Sequence, residues 1–261
     1  LKIFKVIIMN NGTFSIFELK THTKEEILNL IKNINVNSDF TFVKNCKKAD
    51  YIIAYGGDGT LLDAFQKFPE KIIIPIRDYA KCELHKNLKN YFTNNNLEIR
   101  DVIKCKTLSK EKYGISEVVI RNDNISQAIR FDLYINDKPY ALNCIGDGLI
   151  ISTVLGSTGY FKNITNMFFT EGIGIGFLNN AQRMSNLIIS KNSKIKIIIQ
   201  RGNIELGIDH QSAYLIGQQT LEIEIDNIKT LKLLNYKENF MCNDCRNNRH
   251  SGYVNSIYSV I

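Results

Sequence analysis

The chain has 261 residues, 44% apolar and 23% charged, ordinary proportions for a globular protein and unlike those of disordered, collagen-like or fibrous chains. Lys plus Arg is 33 against 26 Asp plus Glu, a net charge of +7. The lysines are scattered without the aromatic interleaving of a nucleic-acid platform, so the excess suits small anions such as nucleotides and not nucleic acid.

In chain order, Ile3 to Met9 reads as a buried strand, since nearly every position is apolar. Thr23-Lys24-Glu25-Glu26 has the spacing of a capping box, and Ile27, Leu28, Leu30, Ile31 and Ile34 follow at helical intervals. Strands are predicted at Phe40 to Val43 and at Tyr51 to Tyr55, the second running straight into Gly56-Gly57-Asp58-Gly59-Thr60. Leu61, Leu62, Ala64 and Phe65 predict a helix that stops before Pro69, and residues 71–76 the next strand. Strands alternating with helices predict a parallel α/β sheet.

Beyond residue 95 the pattern changes to short, β-branched, closely spaced runs. These are Ile115 to Arg121, Ala128 to Ile135, Tyr140 to Cys144, Leu149 to Ser152, Lys194 to Gln200, Leu221 to Ile225 and Leu231 to Leu234. Asn136-Asp137 is a hairpin turn signal. The expected organisation is an α/β domain over 1–95, a β-rich domain over 96–236, and a polar tail over 237–261 that packs back on the first domain. No run approaches the roughly 18–20 apolar residues of a membrane-spanning helix. The first residues lack a signal-peptide layout, so a cytoplasmic protein with no membrane partner is expected. The six cysteines (Cys46, Cys82, Cys105, Cys144, Cys242, Cys245) are read as reduced thiols with no metal. The one C-x-x-C pair, Cys242 and Cys245, has only His250 nearby as a third ligand.

Two segments carry chemistry. In Gly56-Gly57-Asp58-Gly59-Thr60 the glycines let backbone N–H groups approach a polyphosphate closely, and the following helix turns its positive end to the same anion. A carboxylate inside an anion loop makes sense if Asp58 holds a metal or takes a proton from an attacking hydroxyl. The second segment runs from Asn143 to Tyr160. It holds Asp147 and the hydroxyls of Ser152, Thr153, Ser157, Thr158 and Tyr160, groups that recognise ribose hydroxyls and base edges by hydrogen bonding.

Together the two segments resemble the NAD kinase family, whose members carry a Gly-Gly-Asp-Gly loop in an α/β N-terminal domain. Asp147-Gly148-Leu149-Ile150, leading into Gly156-Ser157-Thr158-Gly159-Tyr160, is similar to an element of the family's β-rich C-terminal domain. Ile208-Asp209-His210-Gln211-Ser212 is similar to its late Asp-containing loop. The loop alone is shared with lipid kinases and phosphofructokinases; the combination is more specific. The sequence departs from the family at Ser116-Glu117, where Asn followed by an acid is usual, and at Arg77 to Lys81 in place of an Asn/Gly-rich segment. Val154, Leu155 and Gly159 replace the usual Pro, hydroxyl and Ala, and Phe161-Lys162-Asn163-Ile164 replaces a Gly-rich stretch.

The resemblance implies a NAD kinase-like fold, a Rossmann-like parallel sheet followed by a β-rich domain, and phosphoryl transfer to the adenosine 2′-hydroxyl of NAD to make NADP. It implies that Gly56, Gly57, Gly59 and Thr60 cradle phosphates and that Asp58 deprotonates the hydroxyl. Ser116, Glu117, Asp147, Thr153, Thr158, Tyr160 and Asp209 are the implied NAD contacts. It further implies Mg²⁺ or another divalent cation, ATP or polyphosphate as donor, and a homodimer or homotetramer whose subunits share the NAD site. The alternatives are a kinase for a lipid or sugar hydroxyl, and a nucleotide-binding protein that has lost catalysis.

Overall fold

In the first part of the chain, apolar runs become strands wherever both faces are covered. The computed structural model describes residues 12–17, 25, 27–29, 40–76 and 96–235. The expected strand at Ile3 to Met9, most of the helix over 23–34, Arg77 to Lys81, Cys82, and the tail with Cys242, Cys245 and His250 lie outside them. The chain divides into two compact units, Leu1–Ile99 with Lys232–Ile261 and Arg100–Leu231.

The first unit holds β1 (Gly12–Ile16), β2 (Phe40–Phe42), β3 (Tyr51–Tyr55) and β4 (Ile72–Ile76), with α1 (Asp58–Lys67) between the last two. The order is β2-β1-β3-β4, every pair parallel. Lys232 and Leu233, at the end of the last strand among the described residues, pair parallel with Ile72 and Ile73. Four of five β3 residues are buried, as a parallel strand covered on both faces requires. Phe14, Ile16, Ile53, Ile74, Ile76 and Leu234 share its core with Ile27, from the helical residues 27–29. β1 was not expected from the sequence: Gly12-Thr13-Phe14-Ser15-Ile16 is half polar, and Ser15 is nonetheless fully buried.

The second unit is a sandwich of antiparallel strands. β5 (Leu97–Lys106), β6 (Glu111–Gly114), β8 (Ile129–Ile135), β9 (Lys138–Gly146), β13 (Ile195–Arg201) and β16 (Gln219–Leu234) make one layer. The other contains β7 (Glu117–Asn122), β10 (Gly148–Ser152), β11 (Ile173–Leu178), β12 (Leu187–Ile189), β14 (Ile204–Ile208) and β15 (Gln211–Leu215), in the order β12-β11-β10-β7-β14-β15. Phe131, Leu133, Ile197 and Ile199 of the first layer meet Val118, Ile120, Leu149, Ile151 and Ile175 of the second in a common core. Alternate residues of β8, β13 and β14 point inward, the period-two pattern of a sheet with one solvated face. Asn136 and Asp137 take φ of 52° and 60° and join β8 to β9, the positive-φ pair of a type I′ hairpin.

β10 and β11 are buried at every position because a short helix, α2 (Tyr160–Thr165), covers their outer face. Phe161 and Phe169 meet edge to face there at 5.3 Å and pack on Ile150. The runs Leu221 to Ile225 and Leu231 to Leu234, expected as two strands, are one 16-residue strand. The residues between them stay extended, with Asp226 accepting from the N–H groups of Ile228 and Lys229. Among the described residues no helix is long and apolar enough to cross a membrane.

Candidate active site

The phosphate-loop candidate begins where β3 ends. Gly56 adopts φ 156°, a conformation open to glycine, and its N–H donates to the Ile76 carbonyl at 2.7 Å. That bond ties the start of the loop to the end of β4. Gly57 caps α1 and Asp58 is its first residue. Thr60 and Leu61 donate back to the Gly57 carbonyl at 3.1 and 3.4 Å. A helix has no internal acceptors for its first N–H groups, and the macrodipole makes that end electropositive, so the turn after Gly57 presents the kind of donors that bind anions at helix N-termini. A Cβ at Gly57 or Gly59 would meet nothing within 4 Å, Asp58 and Gly59 are exposed, and Thr60 is turned inward at 7% exposure.

In the second unit a polar cluster forms at one end of the β10-bearing layer. Register places Ser152 beside Glu117 and Ile208 beside Val118, so residues 115–117, Thr153 and Asp209 converge from three strands. The Ser116 hydroxyl donates to Glu117 Oε2 at 2.6 Å. The Asp209 carboxylate accepts from the N–H groups of Ile115, Ser116 and Glu117. Thr153 is 2% exposed; its N–H donates to the Ser116 carbonyl at 2.9 Å and its hydroxyl to the Ile115 carbonyl at 2.6 Å. Thr153 therefore buttresses residues 115–116, while Ser116 and Glu117 stay half-buried and accessible to a ligand.

Thr158 closes a 3₁₀ turn, Gly156–Thr158, and Tyr160 opens α2; both are half-buried. The Tyr160 ring packs against the Phe161 and Phe169 cluster. Asp147 lies elsewhere. It precedes β10, whereas Thr153 follows it, and six residues of extended chain span about 20 Å. There Asp147 Oδ2 accepts from the Asn179 side chain at 3.1 Å, and its backbone N–H donates to the Leu178 carbonyl. The chain thus brings Ser116, Glu117, Thr153 and Asp209 together and leaves Asp147 apart. Among the described residues no three His, Cys, Asp or Glu side chains are grouped to hold a metal. Burial pushes the Cys105 thiol up to about 12 and raises that of Cys144, so neither is a nucleophile at neutral pH.

Residues 115–227 match the model of the ATP-NAD kinase C-terminal domain. The chain is 28% identical to a NAD kinase of Clostridium botulinum over 240 residues, 82% of this chain and 84% of that one. It is 34% identical to a NAD kinase of Fusobacterium nucleatum over 145 residues, covering 50% and 54%. Over most of its length the chain is similar to NAD kinases. Its fold matches yeast NADH kinase complexed with NADH (TM-score 0.75, 13% identity, 94% of this chain and 89% of that one). It also matches an NAD kinase from Archaeoglobus fulgidus in complex with ATP (TM-score 0.71, 17% identity, 89% and 97%).

The similarity to NAD kinases is distant, and the structure gives one departure from the family pattern a physical setting. Phe161, at the start of the segment that replaces the family's Gly-rich stretch, is fully buried over two glycines of β11. A Cβ at Gly174 would stand 2.7 Å from its ring, and one at Gly176 would stand 2.6 Å from Thr165. Small residues on the strand make room for the aromatic on the helix. Two contributors are not evident from the sequence. A Cβ at Gly114 would lie 3.0 Å from Asp209 Oδ1, and one at Gly156 would lie 2.7 Å from Ser116 Oγ. Only the knowledge that residues 114 and 209, or 116 and 156, are neighbours makes these glycines informative.

Proposed function

We infer that the protein phosphorylates NAD on the adenosine 2′-hydroxyl, with ATP as donor, and releases NADP and ADP. The observation that carries the reading is the exposed carboxylate of Asp58 at the first position of α1, inside an anion-receiving glycine loop. It is supported by relatives named NAD kinase and by similar folds described with NADH and with ATP. In this reading the first unit takes the donor and the second takes NAD. Gly56, Gly57, Gly59 and Thr60 shape the turn that receives donor phosphates. Asp58 takes the proton as the 2′-oxygen bonds to the γ-phosphorus and the bond to the departing ADP oxygen breaks. A positioned base of this kind is worth about 10²- to 10⁴-fold.

A divalent cation such as Mg²⁺ would accompany the donor. Mg²⁺ keeps several waters and is held in large part by substrate phosphates, so the donor phosphates would hold it and Asp58 would act as the base. Bound there, the cation would neutralise charge on the transferring phosphoryl group. Glu117, steadied by the Ser116 hydroxyl, accepts hydrogen bonds from ribose hydroxyls, and Tyr160 offers a ring face to a base. The test is incubation with ATP, Mg²⁺ and NAD followed by detection of NADP. Nucleotide binding without NADP would mean a binding protein, and turnover with polyphosphate alone would move the donor assignment.

The separation of Asp147 from Thr153 supports a homo-oligomer in which Asp147 serves the NAD site of a second subunit. Asp147→Asn and Tyr160→Ala are expected to raise KM for NAD about tenfold while KM for ATP holds. At NAD well below KM, mixing Asp147→Asn with Asp58→Asn subunits is expected to restore activity above either parent, because one site then has its own Asp58 and its neighbour's Asp147. No restoration on mixing would place Asp147 in its own subunit's site. Unchanged KM with lowered stability would make both residues structural.

A further inference from the structure

We propose that Asp209 is a positioning residue: through the backbone N–H groups of residues 115–117 it holds Ser116 and Glu117 in the conformation that receives NAD, and it does not itself contact the dinucleotide. The proposal rests on the NAD kinase reading and changes the part Asp209 plays in it. Asp209 Oδ1 accepts from Ser116 N–H at 2.8 Å, from Ile115 at 3.2 Å and from Glu117 at 3.3 Å, while Oδ2 accepts from Ile115 at 3.0 Å. Three successive N–H groups converging on one carboxylate form a nest of the kind that binds anions. Here the anion belongs to the protein. The Asp209 N–H in turn donates to the Glu117 carbonyl at 2.9 Å, so the two segments grip each other in both directions.

Two further features serve this grip. Asp209 sits at φ 52°, in the turn between β14 and β15, a conformation Asp tolerates better than most residues. Gly114 leaves the space its carboxylate occupies: a Cβ there would stand 3.0 Å from Oδ1, 3.2 Å from Cγ and 2.8 Å from Ile208 Cγ2. Ile208 is 1% exposed, so it has little room to yield. The glycine, the turn and the nest converge on one outcome, a fixed path for the backbone that carries Ser116 and Glu117.

The test compares wild type, Asp209→Asn, Asp209→Ala and Gly114→Ala. Asn keeps a carbonyl oxygen in the place of Oδ1, which takes three of the four bonds, and loses the charge and the Oδ2 acceptor; Ala loses all of these. Positioning predicts that Asp209→Ala and Gly114→Ala raise KM for NAD at least about tenfold, with KM for ATP unchanged. It predicts that Asp209→Asn stays within about threefold of wild type. It also predicts that amide hydrogen exchange at Ser116 and Glu117 in the NAD-free protein speeds up by at least about tenfold in Asp209→Ala and Gly114→Ala but not in Asp209→Asn. Equal KM losses in Asp209→Asn and Asp209→Ala, with Gly114→Ala like wild type, would make Asp209 a direct charged contact and overturn the proposal. Unchanged exchange in Asp209→Ala would overturn it as well. If Asp209→Ala does not fold, Gly114→Ala against Asp209→Asn makes the same comparison. Wild type that makes no NADP would sink the kinase reading instead, and the exchange measurement would still decide whether Asp209 holds the segment.

Discussion

Asp58→Asn is expected to lower turnover at least about a hundredfold, with NAD affinity little changed. Asn matches Asp in size and hydrogen-bonding reach but neither accepts a proton nor carries charge. A secondary hydroxyl is a poor nucleophile at neutral pH, so removing its base takes away a contribution of about 10²- to 10⁴-fold. The fold is expected to survive, because Asp58 is exposed at the start of α1. Its loss removes a favourable charge–dipole contact worth about 0.3–1 kcal/mol. Steady-state NADP formation and NAD titration, run on the same preparation, separate the effects. Turnover near that of wild type would remove Asp58 from the chemistry. Equal losses in turnover and NAD binding would make it a binding group.

Gly148→Ala is expected to destabilise the second unit by about 3 kcal/mol or more, since it combines overpacking with a backbone conformation closed to side chains. Gly148 has φ 144°, and a Cβ there would lie 1.8 Å from the Ile120 carbonyl oxygen and 2.8 Å from its carbon. Those atoms belong to β7, which pairs with β10 from Gly148 to Ser152, so they cannot swing aside as a side-chain tip would. The strands must part or Gly148 must rebuild its φ, and either displaces Asp147. Thermal denaturation is expected to show a fall of about 10 °C. Gly59→Ala is the contrast: its methyl enters open space and is expected to leave the melting temperature within about 1 °C. A Gly148→Ala protein that melts with wild type would mean the ladder relaxes there at little cost.

Much of the scaffold was legible because its signals are local. The Ile-rich run before Gly56, the glycine loop and the apolar spacing of residues 61–65 together specify a strand, a turn and a helix, each from consecutive residues. Asn136-Asp137 specifies its hairpin in the same way, since positive φ at two adjacent positions is a property of those residues. Less legible were strands whose burial depends on a partner. Gly12–Ile16 carries two polar residues and becomes a central strand only because β2 and β3 flank it. The stretch between Ile225 and Leu231 looks like a break and remains strand.

From the sequence alone came the order of an α/β part and a β-rich part, the glycine loop with its acid, and a set of polar residues proposed as a nucleotide site. All of these depend on residue type and spacing along the chain, which periodicity, turn chemistry and helix-end electrostatics convert directly into structure. The tertiary structure decided what each polar side chain faces. Asp209 meets Ser116 across 93 positions of sequence, Thr153 spends its hydroxyl on a buried carbonyl, and Asp147 ends up at the far end of its strand. A carboxylate or hydroxyl reads the same in sequence whether it will meet substrate or backbone. The difference is made by strand register, which sets the neighbours of every residue at once and is not carried by any short stretch of the chain.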